Sequence, residues 1–272
     1  MEVRVMEAWV NTSLGKRGYE LKNFIGTGAF GKVYLVKKRQ TGILLACKSA
    51  KTLQSQKLLK KEAEVLQQIR HPVFPLFEEF IEDSWGCLLL MEYVEGESLA
   101  ERLEQDVLPT KEALDYAGWL AEGLEYLHQL SEPVLYRDLK PEHVKICYDG
   151  KVKLLDMGCA CRLSEARFSK AGTRGYAPSE QLAEGQPGVY SDVYAFGKLL
   201  SYMLTGENPC LPSSKKAGVL LYKKKISLYL KKLVECCTEE DYRNRIQDMG
   251  AVIRNLRKCG GEEAFLYESI IK

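Results

Sequence analysis

Long hydrophobic runs are missing from this sequence. The longest, CLLLM at 87–91, is far too short to cross a bilayer, so no membrane span is expected. The opening MEVRVMEAWV has an acid early and no long apolar stretch. A signal peptide is therefore not expected, and the cytoplasm is the expected compartment. Charge of one sign is scarce too. A net charge of +2 is too small to make nucleic acid or an anionic membrane the main partner. There are no internal repeats and no low-complexity tracts. Cysteine is present nine times, an odd number without the regular spacing of small secreted scaffolds. Cys159-x-Cys161 and the Cys236-Cys237 pair have no matching C-x-x-C or histidine pair, which argues against zinc. Reduced thiols in ordinary packing positions are the reading, with a redox role for Cys159 or Cys161 as the alternative.

With 46% hydrophobic and 28% charged residues over 272 positions, the chain can bury a core in one large or two small domains. Its texture changes partway along. From Tyr19 to about Lys51, KVYLVKK and ILLACK read as strands separated by the turn-like RQTG. One helix follows, then a short strand pair ending in CLLLMEY. After Glu95 the pattern is helical. In TKEALDYAGWLAEGLEYLHQL, residues Ala113, Leu114, Ala117, Leu120, Ala121, Leu124 and Leu127 fall at helical spacing, with Thr110 as N-cap. SDVYAFGKLLSYMLTG repeats this through Val193, Phe196, Leu200 and Met203 and closes on Gly206. The small, polar VEGES at 94–98 reads as the hinge between two lobes. Residues 1–18 are either a packed extension or a loose arm.

The stretch GTGAFGKV places Gly26, Gly28 and Gly31 between two strands. Glycines at this spacing let backbone amides approach phosphate oxygens with no Cβ in the way. A dinucleotide fold would need a helix after the third glycine, and KVYLVKK is a strand, which favours a loop bridging antiparallel strands. Lys48 ends the next strand. In SQKLLKKEAEVLQQIR, Glu62 shares the apolar helix face with Leu58, Val65, Leu66 and Ile69, whereas Glu64 lies with Lys60, Lys61, Gln67 and Gln68. A carboxylate in an apolar stripe needs a buried partner, so the pair expected is Lys48–Glu62 and not Lys48–Glu64.

With these motifs the chain resembles a eukaryotic-type Ser/Thr protein kinase, from about Tyr19 to Lys258, in wording (DLKPEH, GTRGYA) closer to bacterial members. The resemblance implies an α+β, bilobal fold: a small antiparallel β-sheet N-lobe with one key helix (about 19–94) and a mainly helical C-lobe (about 95–258). Residues 259–272 would be a tail. It implies that Gly26, Gly28 and Gly31 cover the phosphates of ATP and that Lys48, held by Glu62, contacts the α- and β-phosphates. Val33 and Ala46 would roof the adenine, with Met91 as gatekeeper and the backbone of Glu92 to Val94 at its edge. YRDLKPEH would be the catalytic loop, with Asp138 as base and Lys140 neutralising charge on the migrating phosphoryl group. Asp156 in LLDMG would hold Mg²⁺, with Met157 where phenylalanine is usual.

Further along, Glu180 matches a structural glutamate paired with Arg245, although Pro178 stands one place early. Asp192 resembles a buried aspartate that orders the catalytic loop. Arg137 would be an unpaired buried cation awaiting a phosphate on Ser164 or Ser169, while Thr173 would bond Asp138 and Lys140. Two positions depart from the family. His143 stands where an asparagine binds the second Mg²⁺, so metal binding is weakened, shifted towards Mn²⁺ or absent. Lys145 stands where an apolar residue floors the adenine, with its stem available to cover the ring. Between Gly206 and ISLYLKKLVECC the chain is short for the family, and its lysines read as a solvated face. The function implied is phosphoryl transfer from ATP to protein Ser/Thr hydroxyls. A pseudokinase scaffold with weak or Mn²⁺-dependent activity, and a small-molecule phosphotransferase, are the alternatives. Self-association is left open.

Overall fold

The computed structural model describes residues 2–28, 31–168, 170–183, 185–211 and 226–260. The chain divides into two compact units. The first holds the chain up to Arg70 together with Phe74–Glu95, and the second holds His71–Val73 and the chain from Gly96 onward.

The first unit is built on a five-stranded antiparallel sheet. Its strands are β1 (Tyr19–Gly28), β2 (Gly31–Lys38), β3 (Leu44–Ala50), β4 (Phe77–Asp83) and β5 (Gly86–Glu92), in the order β1-β2-β3-β5-β4. Period-2 alternation sorts the side chains of β2 and β3: Tyr34, Val36, Leu45 and Cys47 are buried, and the residues between them are half-buried. The buried row packs with Val10 and Leu14 of helix α1 (Glu2–Lys16), with Trp9 partly buried beside them. Residues 1–18 are thus a packed extension, as far as they are described. Asp83 at the β4–β5 turn accepts hydrogen bonds from Trp9 Nε1 at 2.9 and 3.0 Å and from the Ser13 hydroxyl at 2.7 Å. Gly86 must be glycine, since a Cβ there would stand 2.3 Å from the Ala50 carbonyl oxygen and 2.8 Å from the Trp9 ring. Helix α2 (Leu53–Gln68) starts where the Thr52 hydroxyl accepts the Ser55 N–H, and it buries Leu59, Glu62, Ala63, Val65 and Leu66.

The second unit is mainly helical. Helices α3 (Leu99–Gln105), α4 (Thr110–His128), α5 (Ser179–Leu182), α6 (Val189–Thr205), α7 (Leu228–Cys237) and α8 (Met249–Gly260) surround short strands. Those strands are β6 (Glu97–Ser98), β8 (Val144–Ile146) and β9 (Val152–Leu154) in one sheet, and β7 (Val134–Leu135) with β10 (Cys161–Arg162) in another. His71–Val73 belongs here because the Val73 carbonyl accepts the Leu154 N–H at 2.7 Å. All seven apolar positions expected on the α4 face are buried. The N-cap is Pro109, however, and Thr110 is already helical. Proline carries no N–H to satisfy, and its carbonyl accepts the first helical bond from Ala113. Helix α6 closes on Gly206 in the left-handed region, φ 72°, as its spacing predicts. Helix α8 runs two residues past Lys258. The lysine run at 215–216 and 223–225, and the tail beyond Gly260, lie outside the described residues.

Among the described residues no helix is long and apolar enough to cross a membrane. None of the nine cysteines is in a disulfide.

Candidate active site

Each unit carries its own part of the candidate chemistry. In the first, sheet register decides which residues share a face. Val33 pairs with Lys48 and Leu35 with Ala46, while Ala46 pairs with Met91 and Lys48 with Leu89. Paired residues point the same way, so Val33, Ala46, Lys48 and Met91 lie on one face, opposite the Tyr34–Cys47 row that packs against α1. Lys48 Nζ lies 2.5 Å from Glu62 Oε1, whose side chain is fully buried, whereas Glu64 is exposed. The helical phase of α2 is what brings Glu62, and not Glu64, to the lysine. Glu92 donates its N–H to the Leu76 carbonyl at 2.8 Å, so a ligand meeting Glu92 would have to use another of its groups. Val94 is buried at the end of this unit.

The three loop glycines differ. A Cβ on Gly31 would stand 1.8 Å from the Ser49 carbonyl oxygen, so packing alone demands glycine there. Among the described residues nothing lies within 4 Å of a Cβ at Gly26, and at Gly28 the nearest atoms, on Val33 and Gly31, are at 3.7 and 3.8 Å. Internal packing gives no reason for those two. Ala29 and Phe30 at the loop tip are outside the described residues.

In the second unit the catalytic-loop residues are held by their backbone. Asp192 on α6 is fully buried and accepts the N–H groups of Tyr136 and Arg137, each at 2.8 Å. His128 Nε2 donates to the same carboxylate at 2.9 Å. Arg137 adopts φ 68°, the only positive value for a non-glycine among the described residues. It is buried, and its Nε donates to the Cys159 carbonyl at 2.7 Å. The Cys159 carbonyl thus gives one of the guanidinium donors a partner. Asp138 follows. Its Oδ1 accepts the Thr173 hydroxyl at 2.7 Å, its Oδ2 is 3.1 Å from Lys140 Nζ, and Lys140 donates to Thr173 Oγ1 at 3.0 Å. Carboxylate, ammonium and hydroxyl form one closed triangle.

His143 ends a single 3₁₀ turn, Pro141–His143. Its Nδ1 lies 2.9 Å from the Asp138 carbonyl oxygen, which can only accept, so Nδ1 carries the proton. Burial, with Lys140 adding to it, holds the imidazole below its ordinary pKa of 6.5 despite Asp156 and Asp138. The neutral ring then offers the lone pair of Nε2, which is 3.8 Å from Asp156 Oδ2. That separation is too long for a hydrogen bond. Adjacent ligands of an octahedral ion lie about 3 Å apart, so these two atoms would have to draw closer to share one. Asp156 Oδ1 accepts the Gly158 N–H at 2.9 Å, which fixes the carboxylate. Among the described residues no cluster of three or more His, Cys, Asp or Glu could hold a metal unaided. An Mg²⁺ held by one or two carboxylates and substrate phosphates needs no such cluster, and Asp156 supplies one such carboxylate beside the neutral imidazole of His143. Lys145 is half-buried between buried Val144 and Ile146.

Beyond the loop, Arg245 Nη1 donates to Glu180 Oε1 at 2.6 Å, with both side chains buried. The early proline does not disturb this pair, because Pro178 serves as N-cap of α5. Ser164 donates to Glu132 at 3.1 Å. A phosphate on Ser164 would face that carboxylate and be repelled. Ser169 lies outside the described residues. Burial raises the Cys159 thiol pKa, which disfavours the reactive thiolate. Two residues were missed by sequence reasoning. His128 could have been sought as the partner that a buried Asp192 requires. Gln181, whose Nε2 donates to the carbonyls of Arg137 at 2.7 Å and Ala171 at 2.8 Å, gave no signal.

The sequence matches the protein kinase domain model over residues 19–255. It is 34% identical over 191 residues to a cAMP-dependent protein kinase catalytic subunit of Dictyostelium discoideum, covering 68% of this chain and 29% of the relative. The type 3 cAMP-dependent protein kinase of Saccharomyces cerevisiae is 30% identical over 197 residues, 70% of this chain and 49% of that one. Human ribosomal protein S6 kinase alpha-1 is 30% identical over 214 residues, 75% and 29% respectively. The chain thus spans between about a quarter and a half of the length of these relatives. A five-stranded antiparallel sheet with a buried Lys–Glu pair, a helical unit with an Asp–Lys–Thr triangle, and a family match over most of the chain lead to one statement: this chain belongs to the protein kinase domain family.

Proposed function

We propose that the protein transfers the γ-phosphoryl group of ATP to Ser or Thr hydroxyls of proteins. The observation that carries this reading is the Asp138–Lys140–Thr173 triangle. Asp138 would accept the proton of the acceptor hydroxyl as its oxygen bonds to phosphorus, and the bond to the leaving ADP oxygen breaks. Lys140, already 3.1 Å from that carboxylate, would offset negative charge on the migrating group. Thr173 keeps the Asp138 oxygens pointed by donating to one of them. In the first unit, Lys48 would bind phosphate oxygens in the orientation Glu62 imposes, with Gly26, Gly28 and Gly31 offering backbone amides. Val33, Ala46, Met91 and the backbone near Glu92 and Val94 would contact the adenine. Bound metal–ATP supplies the electrophilic phosphorus and its charge neutralisation. Asp156 and His143 would hold the metal. The neutral Nε2 of His143 is a better ligand for Mn²⁺ than for Mg²⁺, so the activity would prefer Mn²⁺. Nine cysteines outside any disulfide, and the absence of a long apolar helix among the described residues, are compatible with a cytoplasmic setting.

The test is autophosphorylation, and phosphorylation of a generic protein acceptor, in Mg²⁺ and in Mn²⁺, with Asp138→Asn as control and phosphoamino-acid analysis of the product. Phosphoserine or phosphothreonine lost in the control supports the reading. Transfer only to metabolites, or nucleotide binding without transfer, refutes it. His143→Asn should raise Mg²⁺-supported turnover relative to Mn²⁺; an unchanged ratio of the two refutes the metal assignment.

A further inference from the structure

We infer that Gln181 is a positioning residue for the catalytic carboxylate, acting through two backbone carbonyls that no other side chain described above contacts. This rests on the proposed phosphotransfer chemistry. Gln181 is almost fully buried on the four-residue helix α5. Its terminal amide faces two carbonyl oxygens, those of Arg137 at 2.7 Å and Ala171 at 2.8 Å. Since both neighbours can only accept, the NH₂ end must face them, and each of its two hydrogens has its own acceptor.

Both acceptors sit at sensitive points. The Arg137 carbonyl belongs to the peptide that leads into Asp138, and Arg137 itself is held at φ 68°, a conformation L-residues adopt at a cost. Asp192 grips the N–H of Arg137. Gln181 grips its carbonyl, so this residue is fastened on both sides. The Ala171 carbonyl precedes Gly172, whose φ of 108° is open only to glycine, and a Cβ there would stand 2.4 Å from Gln181 Nε2 and 2.8 Å from the Arg137 carbonyl oxygen. Thr173 follows, and its hydroxyl donates to Asp138 Oδ1. One carboxamide therefore sets the backbone before Asp138 and the backbone before the hydroxyl that orients it. Gln181 touches neither reacting group. Its effect passes through the peptide planes on either side.

The experiment compares Gln181→Leu, which keeps the volume and removes both donors, with Gln181→Glu, which keeps the shape and turns an oxygen towards the carbonyls. Loss of alignment at a proton-accepting carboxylate should lower kcat about 10- to 100-fold. KM for ATP should stay within about twofold, because the nucleotide contacts proposed above do not include Asp138 or Thr173. Hydrogen–deuterium exchange should quicken in peptides covering 137–140 and 171–175, with the remaining helices unchanged. A folded Gln181→Leu with wild-type kcat overturns the proposal, as does loss of kcat, KM and thermal stability together. Should the Leu variant not fold, Gln181→Glu decides by the same readings. Should wild type show no phosphotransfer, that result counts against the proposed function alone, and the exchange comparison still decides whether Gln181 orders the two segments.

Discussion

Removing one partner of the Glu180–Arg245 pair should destabilise the protein strongly and unequally from the two sides. Glu180 accepts from Arg245 at 2.6 Å and from the Ser191 hydroxyl at 3.0 Å. Arg245 also donates to the carbonyls of Glu239, Tyr190 and Glu240 at 2.9–3.3 Å, and its guanidinium lies 4.8 Å from the Tyr194 ring centroid. Arg245→Met leaves a buried carboxylate with a single hydroxyl donor and strips three carbonyls of a partner. Its cost belongs at the level of a broken buried ion pair, about 3–5 kcal/mol. Glu180→Gln keeps an acceptor oxygen for both donors and loses the charge, so its cost is nearer that of one charge-assisted hydrogen bond, about 1.5–3 kcal/mol. The double variant should cost no more than Arg245→Met alone, since Gln at 180 removes the buried charge that the first change leaves uncompensated. At about 2–4 °C per kcal/mol for domains of this size, Arg245→Met should lower Tm by about 6–20 °C. Circular dichroism melts of the four proteins measure this. An Arg245→Met cost below about 1 kcal/mol, or additive single changes, would refute the reasoning.

Gly26→Ala should leave the melting temperature unchanged and raise KM for ATP, whereas Gly31→Ala should lose the fold of the hairpin, read by exchange over 31–50; equal behaviour of the two would contradict the separation drawn from their surroundings. Deleting residues 1–18 uncovers Val36, Leu45, Cys47 and Leu90, and the product should bind a hydrophobic dye or aggregate, where an unaltered monomer would show α1 to be dispensable. His71 accepts the Val73 N–H on Nδ1 at 3.3 Å, and burial lowers its pKa from 6.5. The unfolded chain therefore takes up this proton first as pH falls, so stability is unaffected above 6.5 and is lost below it, through the lowered folded value. His71→Gln should flatten the fall in urea midpoint between pH 7 and pH 5, and an identical fall in both proteins would discount His71.

Much of this was legible because periodicity reports on which face is buried. The phase of α2 separated Glu62 from Glu64, whereas Val33 and Ala46 were named only from the family resemblance and join Lys48 on one face through the sheet register. The turn before α4 was misread because threonine is a good cap in general, while the choice between Thr110 and Pro109 depends on backbone angles that a residue's own propensity does not fix. Residues 1–18 stayed ambiguous for a different reason. Trp9, Val10, Ser13 and Leu14 do make one helical face, but what covers that face comes from strands far along the chain. The same holds for His128 and Gln181, whose partners lie 64 and 44 residues away. A glutamine in a polar stretch carries no periodic signal, and its importance arises only when two carbonyls converge on it. The Cys159 carbonyl that accepts from Arg137 Nε was equally invisible, since no sequence pattern marks a carbonyl.

Protein synthesis gives the α1 cover a timing problem. The helix is 15 residues long, near the length at which isolated helices are marginal in water. The acceptor for Trp9 lies 74 residues further on, which at 5–20 residues per second is about 4–15 s of translation. Through that interval the sheet that Val10 and Leu14 cover is incomplete, because β4 and β5 are its last strands to be made. The nascent chain would carry this apolar segment out of the ribosome only partly sheltered until β5 arrives, a natural place for a chaperone to bind.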